Sequence, residues 1–228
     1  MRGWSKNTAR VYHRLATVYD KRWQTYLQET LDRALRTVGK PEGSEESQVP
    51  LRFLDVGCGT GEWIRKLLTI FPRGSFVGVD PALGMIEEAR KKFVDVPQTS
   101  RASQVEFLCA PAEEIPFSEG AFDWVTCCNA LHCFSDAAGA LYEMGRVLKS
   151  QGKFLLMDWC RDSFACKMMN LWCASLDPAH VWMYTVDEIR QMLEDQDCSL
   201  GHIERFRVPW PWKFRWWEMG LFVAVKGG

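Results

Sequence analysis

No stretch of this 228-residue chain is apolar for the roughly 20 residues that crossing a bilayer requires, so no transmembrane helix is expected. The opening MRGWSKNTAR lacks the apolar h-region of a secretory signal, which predicts a soluble, cytoplasmic protein. Charge of one sign is also missing: 28 basic against 29 acidic side chains leave a formal net charge of -1. Nucleic acid and membrane surfaces need a basic excess, so neither is expected as the main partner, although a local patch stays open. There is no internal repeat and no low-complexity tract.

Cysteine is not scarce, but its useful patterns are. Cys58, Cys109, Cys127, Cys128, Cys133, Cys160, Cys166, Cys173 and Cys198 contain no C-x-x-C pair and no ligand spacing with histidine. No metal site is expected. An odd number of cysteines without a signal peptide suggests reduced thiols, read as small apolar core residues or as groups with a chemical role. Cys127 and Cys128 are adjacent, so on a strand they leave by opposite faces.

What is present is a core. Nearly half the residues, 47%, are hydrophobic, enough for one α/β domain over residues 1–228. Residues 1–38 have helical spacing at Tyr12, Leu15, Val18 and Tyr19, then Tyr26, Leu27, Leu31 and Leu35. Residues 39–50, with GKPEGSEESQV, form a polar linker. Residues 51–158 then alternate apolar strands (LRFLDVGC, SFVGVD, VEFLCA, FDWVTCCNAL, GKFLLMDW) with amphipathic helices, which predicts a parallel sheet covered on both faces. Residues 159–228 add two helices and the strands LGHIERFRV and KFRWWEMGLFVAV. The PWPW turn between these strands permits only an antiparallel pair.

The stretch LDVGCGTGEW, from Leu54 to Trp63, is a strand that breaks into Gly57, Gly59 and Gly61 before a helix. The dinucleotide fingerprint spaces its glycines G-x-G-x-x-G; this loop is one residue tighter. Glycine lets backbone approach a ligand without a Cβ in the way, and Gly61 lets the helix start close to the sheet. Asp55 ends the first strand and could accept from a cationic amine. Asp80 ends the second, where an acid can accept both hydroxyls of a ribose. Either carboxylate could instead cap a turn.

LDVGCGTGEW, VGVDPALGMIEEAR, APAEEIPFSEGAFDWV, NALHCF and EMGRVLKSQGKFLLMD together resemble the motifs of the class I S-adenosylmethionine-dependent methyltransferases. The nearest flavour is the small-molecule branch that includes the quinone-biosynthesis C-methyltransferases. VYHRLATVYD is similar to that branch's N-terminal lid. The resemblance implies a doubly wound, Rossmann-like α/β sheet of seven strands, mostly parallel with a C-terminal antiparallel hairpin, plus N-terminal lid helices. It implies S-adenosyl-L-methionine as cofactor, its methionine end along Gly57, Gly59 and Gly61, and its ribose on Asp80 beside Pro81. Met85 would pack on the adenine, Ala112 and Glu113 would meet the adenine edge, and Asn129 and Leu131 would border the methionine moiety. Pro111 departs from the family's usual Asp before Ala112, and has neither an N–H nor a side-chain acceptor. Met85 reads equally as plain core, and Asn129 as an ordinary strand end.

Methyl transfer from a sulfonium is an in-line displacement in which alignment does most of the work; a base is needed only for a protonated acceptor. His132 is the candidate base, or else a structural histidine. Tyr12, Tyr19 and Trp23, with Trp4, would close over the cofactor. Trp159, Arg161, Trp172, His180 and Trp182, together with Tyr12, would build the wall for a small apolar or aromatic acceptor. The remaining tryptophans of the 11 fit the last two strands. Arg205, Arg207, Lys213 and Arg215, interleaved with aromatics, could instead touch a membrane or single-stranded nucleic acid. Thiol or metalloid methylation, a silent cofactor-binding module and, from the glycine loop alone, a dehydrogenase remain as alternatives.

Overall fold

The computed structural model describes residues 6–39, 50–94, 104–177, 179–209 and 215–228. Trp4, most of the polar linker, Trp210, Trp212 and Lys213 lie outside them, as do the side chains of Arg215 and Trp216. The chain opens with one continuous helix, α1 (Lys6–Val38), where the sequence suggested more than one lid helix. Then come β1 (Arg52–Val56), α2 (Glu62–Ile70), β2 (Ser75–Asp80), α3 (Leu83–Phe93), β3 (Gln104–Cys109) and β4 (Phe122–Cys128). A short 3-10 turn (Leu131–Cys133) leads to α4 (Ala137–Val147), β5 (Leu148–Trp159), α5 (Phe164–Leu176), α6 (Val186–Glu194), β6 (Cys198–Pro209) and β7 (Arg215–Lys226).

Local chemistry marks the helix starts. Asp136 caps α4 by accepting from Gly139 N, Ser163 caps α5 by accepting from Cys166 N, and Thr185 with Glu188 forms a capping box on α6. The seven strands run in the order β3-β2-β1-β4-β5-β7-β6. β1 to β5 pair in parallel, and β7 runs antiparallel to both β5 and β6. This is the expected doubly wound sheet with its antiparallel C-terminal pair.

Strand alternation sorts side chains into two layers. Leu54, Val77, Val125 and Cys127 pack with Leu141 and Met144 of α4 and Ile189 and Leu193 of α6. On the other face Phe53, Phe76 and Trp124 pack with Leu31 and Ala34 of α1 and Ile64 and Leu67 of α2, and Cys128 joins this layer. Cys127 and Cys128 therefore part company as adjacent strand residues must. All nine cysteines are free and seven are buried, as the core reading expects. Trp63, Trp124 and Trp217 are buried core residues as well.

β1 has β2 on one side and β4 on the other, so the chain reverses its winding direction there. In an open α/β sheet that reversal leaves a crevice beyond the carboxyl ends of the strands. The second half of α1 is anchored over the sheet by buried Tyr26, Leu31 and Ala34. Its first half lies across the crevice, where Ala16, Tyr12 and Tyr19 pack on Ala82 and Met85, His13 Nδ1 accepts from Gly84 N at 2.9 Å, and Asp20 accepts from Thr60 Oγ1 at 2.5 Å.

Candidate active site

The floor of the crevice is the loop after β1. Gly57, Gly59 and Gly61 all have positive φ, at 74°, 52° and 80°, a region costly for residues with a Cβ. Their roles differ. A Cβ on Gly57 would sit 2.4 Å from Ala130 Cβ, so that glycine admits a neighbouring loop rather than a ligand. A Cβ on Gly61 would meet Phe93 and Phe107 at 3.0 Å, so it seats α2 against α3 and β3. Around Gly59 a Cβ would meet nothing within 4 Å, which leaves this peptide open to the crevice.

Two buried carboxylates face the loop region. Asp80 accepts from Gly59 N at 3.1 Å and from Ala82 N at 2.8 Å. Burial raises its pKa to about 6 against the pull of those amides. Asp55 accepts from Thr126 Oγ1 at 2.9 Å. Burial drives its pKa to about 8; the Thr126 bond opposes this and the Asp80 charge adds to it.

Asp55 is thereby linked to stability. Its folded pKa lies above the unfolded value of about 3.9, so its stabilising contribution is complete below that value and is lost as pH rises through about 8. Without ligand, Asp55→Asn should therefore flatten the decline in melting temperature between about pH 5 and pH 9. A decline of the same slope in both proteins would show that Asp55 ionises freely.

Tyr12, Tyr19, Gly57, Gly59, Asp80, Met85, Asn129, Ala130 and Cys133 line the crevice, whose free space is about 30 Å³. Tyr12 and Tyr19 come from the first half of α1 and pack edge to face, with ring centroids 6.0 Å apart. Tyr12 Oη lies 3.4 Å from Cys133 Sγ. Asn129 has φ of 59°. Its side chain turns to α1, accepting from Tyr26 Oη at 2.7 Å and donating to Thr30 Oγ1 at 3.2 Å.

The other expected residues are dispersed. Leu131 and Ala112 are packed in the core. Pro81 follows Asp80, and its carbonyl accepts from Cys109 Sγ at 3.5 Å. Glu113 keeps its carboxylate oxygens inside the protein, and burial raises its pKa. Arg161 donates to Met183 O at 2.8 Å, pairs with Glu188 and covers Trp182, so its charge is already committed. Trp172 is exposed on the outward face of α5.

His132 lies not on the rim but below it, 4% exposed. Its Nδ1 is 2.7 Å from Asp158 Oδ1, and its backbone N donates to Asp158 Oδ2 at 3.0 Å. The ring stacks on Trp159 with centroids 3.9 Å apart and 14° between planes. Burial lowers the His132 pKa, but the Asp158 carboxylate, together with Cys133, more than reverses this and holds it well above the usual histidine range. His180, its ring centroid 5.8 Å from that of His132, goes the other way: burial and the His132 charge push it down to about 4. Asn170 Oδ1 lies 3.0 Å from His180 Nε2 and accepts from Met183 N at 2.7 Å. Trp159 Nε1 donates to Tyr26 Oη at 2.7 Å, joining this cluster to α1 and Asn129.

Sequence reasoning missed Asp158, Tyr26, Thr126 and Asn170. Asp158 had a signal: like Asp55 and Asp80, it stands near the carboxyl end of an apolar parallel strand. Tyr26 and Thr126 have partners 103 and 71 residues away, and Asn170 meets the irregular segment after its own helix, whose path no periodicity fixes. Among the described residues no group of three or more His, Cys, Asp or Glu side chains could hold a metal.

A family model described as a methyltransferase domain matches residues 54–156, the span from the glycine loop through β5. Residues 54–156 thus carry a methyltransferase domain, and the homologues of the chain are S-adenosylmethionine-dependent methyltransferases. It is 29% identical over 196 residues to the uncharacterized methyltransferase YcgJ of Bacillus subtilis, covering 85% of this chain and 75% of that one. The crystal structure of YcgJ superposes with a TM-score of 0.70 at 21% identity, over 88% of this chain and 99% of that one. The ubiquinone/menaquinone biosynthesis C-methyltransferase UbiE of Geotalea uraniireducens is 31% identical over 141 residues, 61% of this chain and 53% of that protein. Magnesium protoporphyrin IX methyltransferase from Synechocystis, solved with SAH bound, shares the fold, with a TM-score of 0.67 at 15% identity over 95% and 98% of the two chains. The homologues answer the question the tight loop raised: the cofactor is S-adenosylmethionine. Among the described residues no helix is long and apolar enough to cross a membrane.

Proposed function

We propose that this methyltransferase moves a methyl group from S-adenosylmethionine to a small apolar or aromatic acceptor by in-line displacement. The observation that carries the reading is the pair of buried carboxylates beside an open glycine peptide. Asp55, with its pKa near 8, and Asp80, near 6, are acids held away from water. A ligand with a cationic end and a ribose relieves both.

Gly59 and Asp80 would hold the cofactor through the open peptide and the ribose hydroxyls; Asp55 would favour its ammonium end electrostatically. Met85 and Tyr19 would flank the adenosine. Ala112 and Glu113 would meet the adenine edge, Glu113 as the acid in the absence of an aspartate at Pro111. The bound cofactor supplies a methyl group already activated by a sulfonium, so the chain's task is alignment and exclusion of water. A free space of about 30 Å³ is close to one water's share of liquid, whereas cofactor pockets need several hundred Å³. The first half of α1 therefore has to move outward, breaking the His13–Gly84 and Tyr12–Cys133 contacts. The Tyr26–Asn129 anchor holds the second half in place.

His132, with Trp159 and His180, would form the inner acceptor wall. Paired with Asp158, it is a proton holder rather than a free base. It takes a proton from an acceptor only above its raised pKa; below that it meets an anionic acceptor as an imidazolium. A thiol or metalloid acceptor draws no support from Cys133, Cys160 and Cys166, which form no common ligand group. The test is transfer of labelled methyl from S-adenosylmethionine to a panel of quinols, phenols and small acids across pH. Labelled product that disappears with unlabelled competitor is expected. Tight cofactor binding with no product from any acceptor class would replace the proposal with a silent binding module.

A further inference from the structure

α5 is turned inside out. Its buried residues are Cys166, Asn170 and Cys173, small or polar side chains facing β7 and the His180 segment. Its outward face carries Phe164, Met168, Leu171, Trp172 and Leu176, each between 53% and 78% exposed. The spacing i, i+4, i+7, i+8, i+12 is one continuous helical stripe. An ordinary surface helix buries its large apolar residues and exposes the small polar ones. Five such side chains, each more than half exposed, amount to roughly 500 Å², toward the upper end of the largest patch on a typical monomer.

We infer that this face is the interface with a second copy of the chain, α5 packing antiparallel on its symmetry mate. A two-fold axis passing near Asn170 sets Phe164 against Leu176 of the second copy, and Met168 against its Trp172. Large apolar groups thus cover one another at every level of the stripe. The pairing is self-complementary, as an isologous contact must be. Lys167 is the single charged residue within α5. A lipid surface is a poorer match, because interfacial helices carry several basic residues beside the apolar face and α5 offers one.

Two patches together bury about 1,000 Å², the lower limit for a specific interface, so the dimer should form in the micromolar range. Dimerisation would brace the inner wall as well. α5 carries Asn170, which holds both His180 Nε2 and Met183 N from the opposite face. The inference stands apart from the choice of acceptor and from the methyl-transfer reading.

Sedimentation equilibrium on the full chain, with matched runs on Trp172→Glu and Leu176→Glu, tests it. The native protein should show reversible dimerisation. Either glutamate should weaken it at least 100-fold, by burying a charge in the apolar contact. These side chains are exposed, so far-UV circular dichroism and melting should match the native monomer. A native protein that stays monomeric throughout the range overturns the inference. So does a dimer that survives both glutamates, or a monomer that instead floats with anionic or neutral lipid vesicles.

Discussion

Asp158→Ala is expected to cost about 3 kcal/mol of folding stability, the lower end of what breaking a buried pair costs. The carboxylate accepts from His132 twice, at Nδ1 and at the backbone N, and from Trp159 N at 2.6 Å. Alanine leaves the two buried N–H groups without their acceptor. The lower end applies because the imidazole can shed its proton and need not stay buried as an unpaired charge. Asp158→Asn separates shape from charge: it can still accept from a backbone N–H but cannot favour imidazolium.

The sign follows from the direction of the shift. The folded pKa of His132 is raised, so the pair's contribution is complete below the unfolded value of about 6.5 and is lost as pH rises through the folded value. Urea unfolding from neutral to alkaline pH should show this loss in the native protein and not in Asp158→Asn. Turnover should change with it, since a neutral His132 presents a different ring to the acceptor. A native protein with flat stability across that range would mean the pair does not hold the proton.

Asp80→Ala is expected to weaken binding of S-adenosylhomocysteine by roughly 100-fold, read by isothermal titration. Hydrogen bonds to a charged acceptor are worth about 1.5–3 kcal/mol each when lost, and each 1.4 kcal/mol is about a factor of ten. Two ribose hydroxyls on one carboxylate reach that figure even after discounting for water entering the space. The loss has a second source within the protein. Asp80 also fixes Gly59 N and Ala82 N, so alanine slackens the loop that presents the open peptide. Asp80→Asn, which keeps one acceptor oxygen, should fall between the two. An affinity unchanged in Asp80→Ala would place the ribose elsewhere and remove the main support for the proposed binding mode.

The glycine loop, the acids near the strand ends and the strand–helix alternation were legible because each is a local property. Asp55 and Asp80 end apolar strands within about 25 residues of each other, and chain direction alone puts both at the carboxyl edge. Trp172 and Arg161 misled for the opposite reason. Both follow β5 in the segment expected to build the acceptor wall, yet which face of a helix turns inward depends on what it packs against. Arg161 found Glu188 and the Met183 carbonyl; Trp172 is 59% exposed on α5. Asp158 carried the same strand-end signal as the other two acids, but its partner His132 is on a different element.

From the sequence alone came the doubly wound parallel sheet with its antiparallel C-terminal pair, the position of the crevice at the glycine turn, and the S-adenosylmethionine family. The sheet and the crevice rest on periodicity and turn chemistry, which act over a few residues; the family rests on a resemblance of motifs along the chain. The tertiary structure alone decided that His132 is a buried partner of Asp158, that Asn129 latches onto Tyr26 and Thr30, that Gly57 makes room for Ala130, and that α5 faces its large apolar side chains outward. Each of these is a contact between residues dozens of positions apart, or the lack of one. Only closing the chain into its sheet, and laying α1 over it, sets those distances.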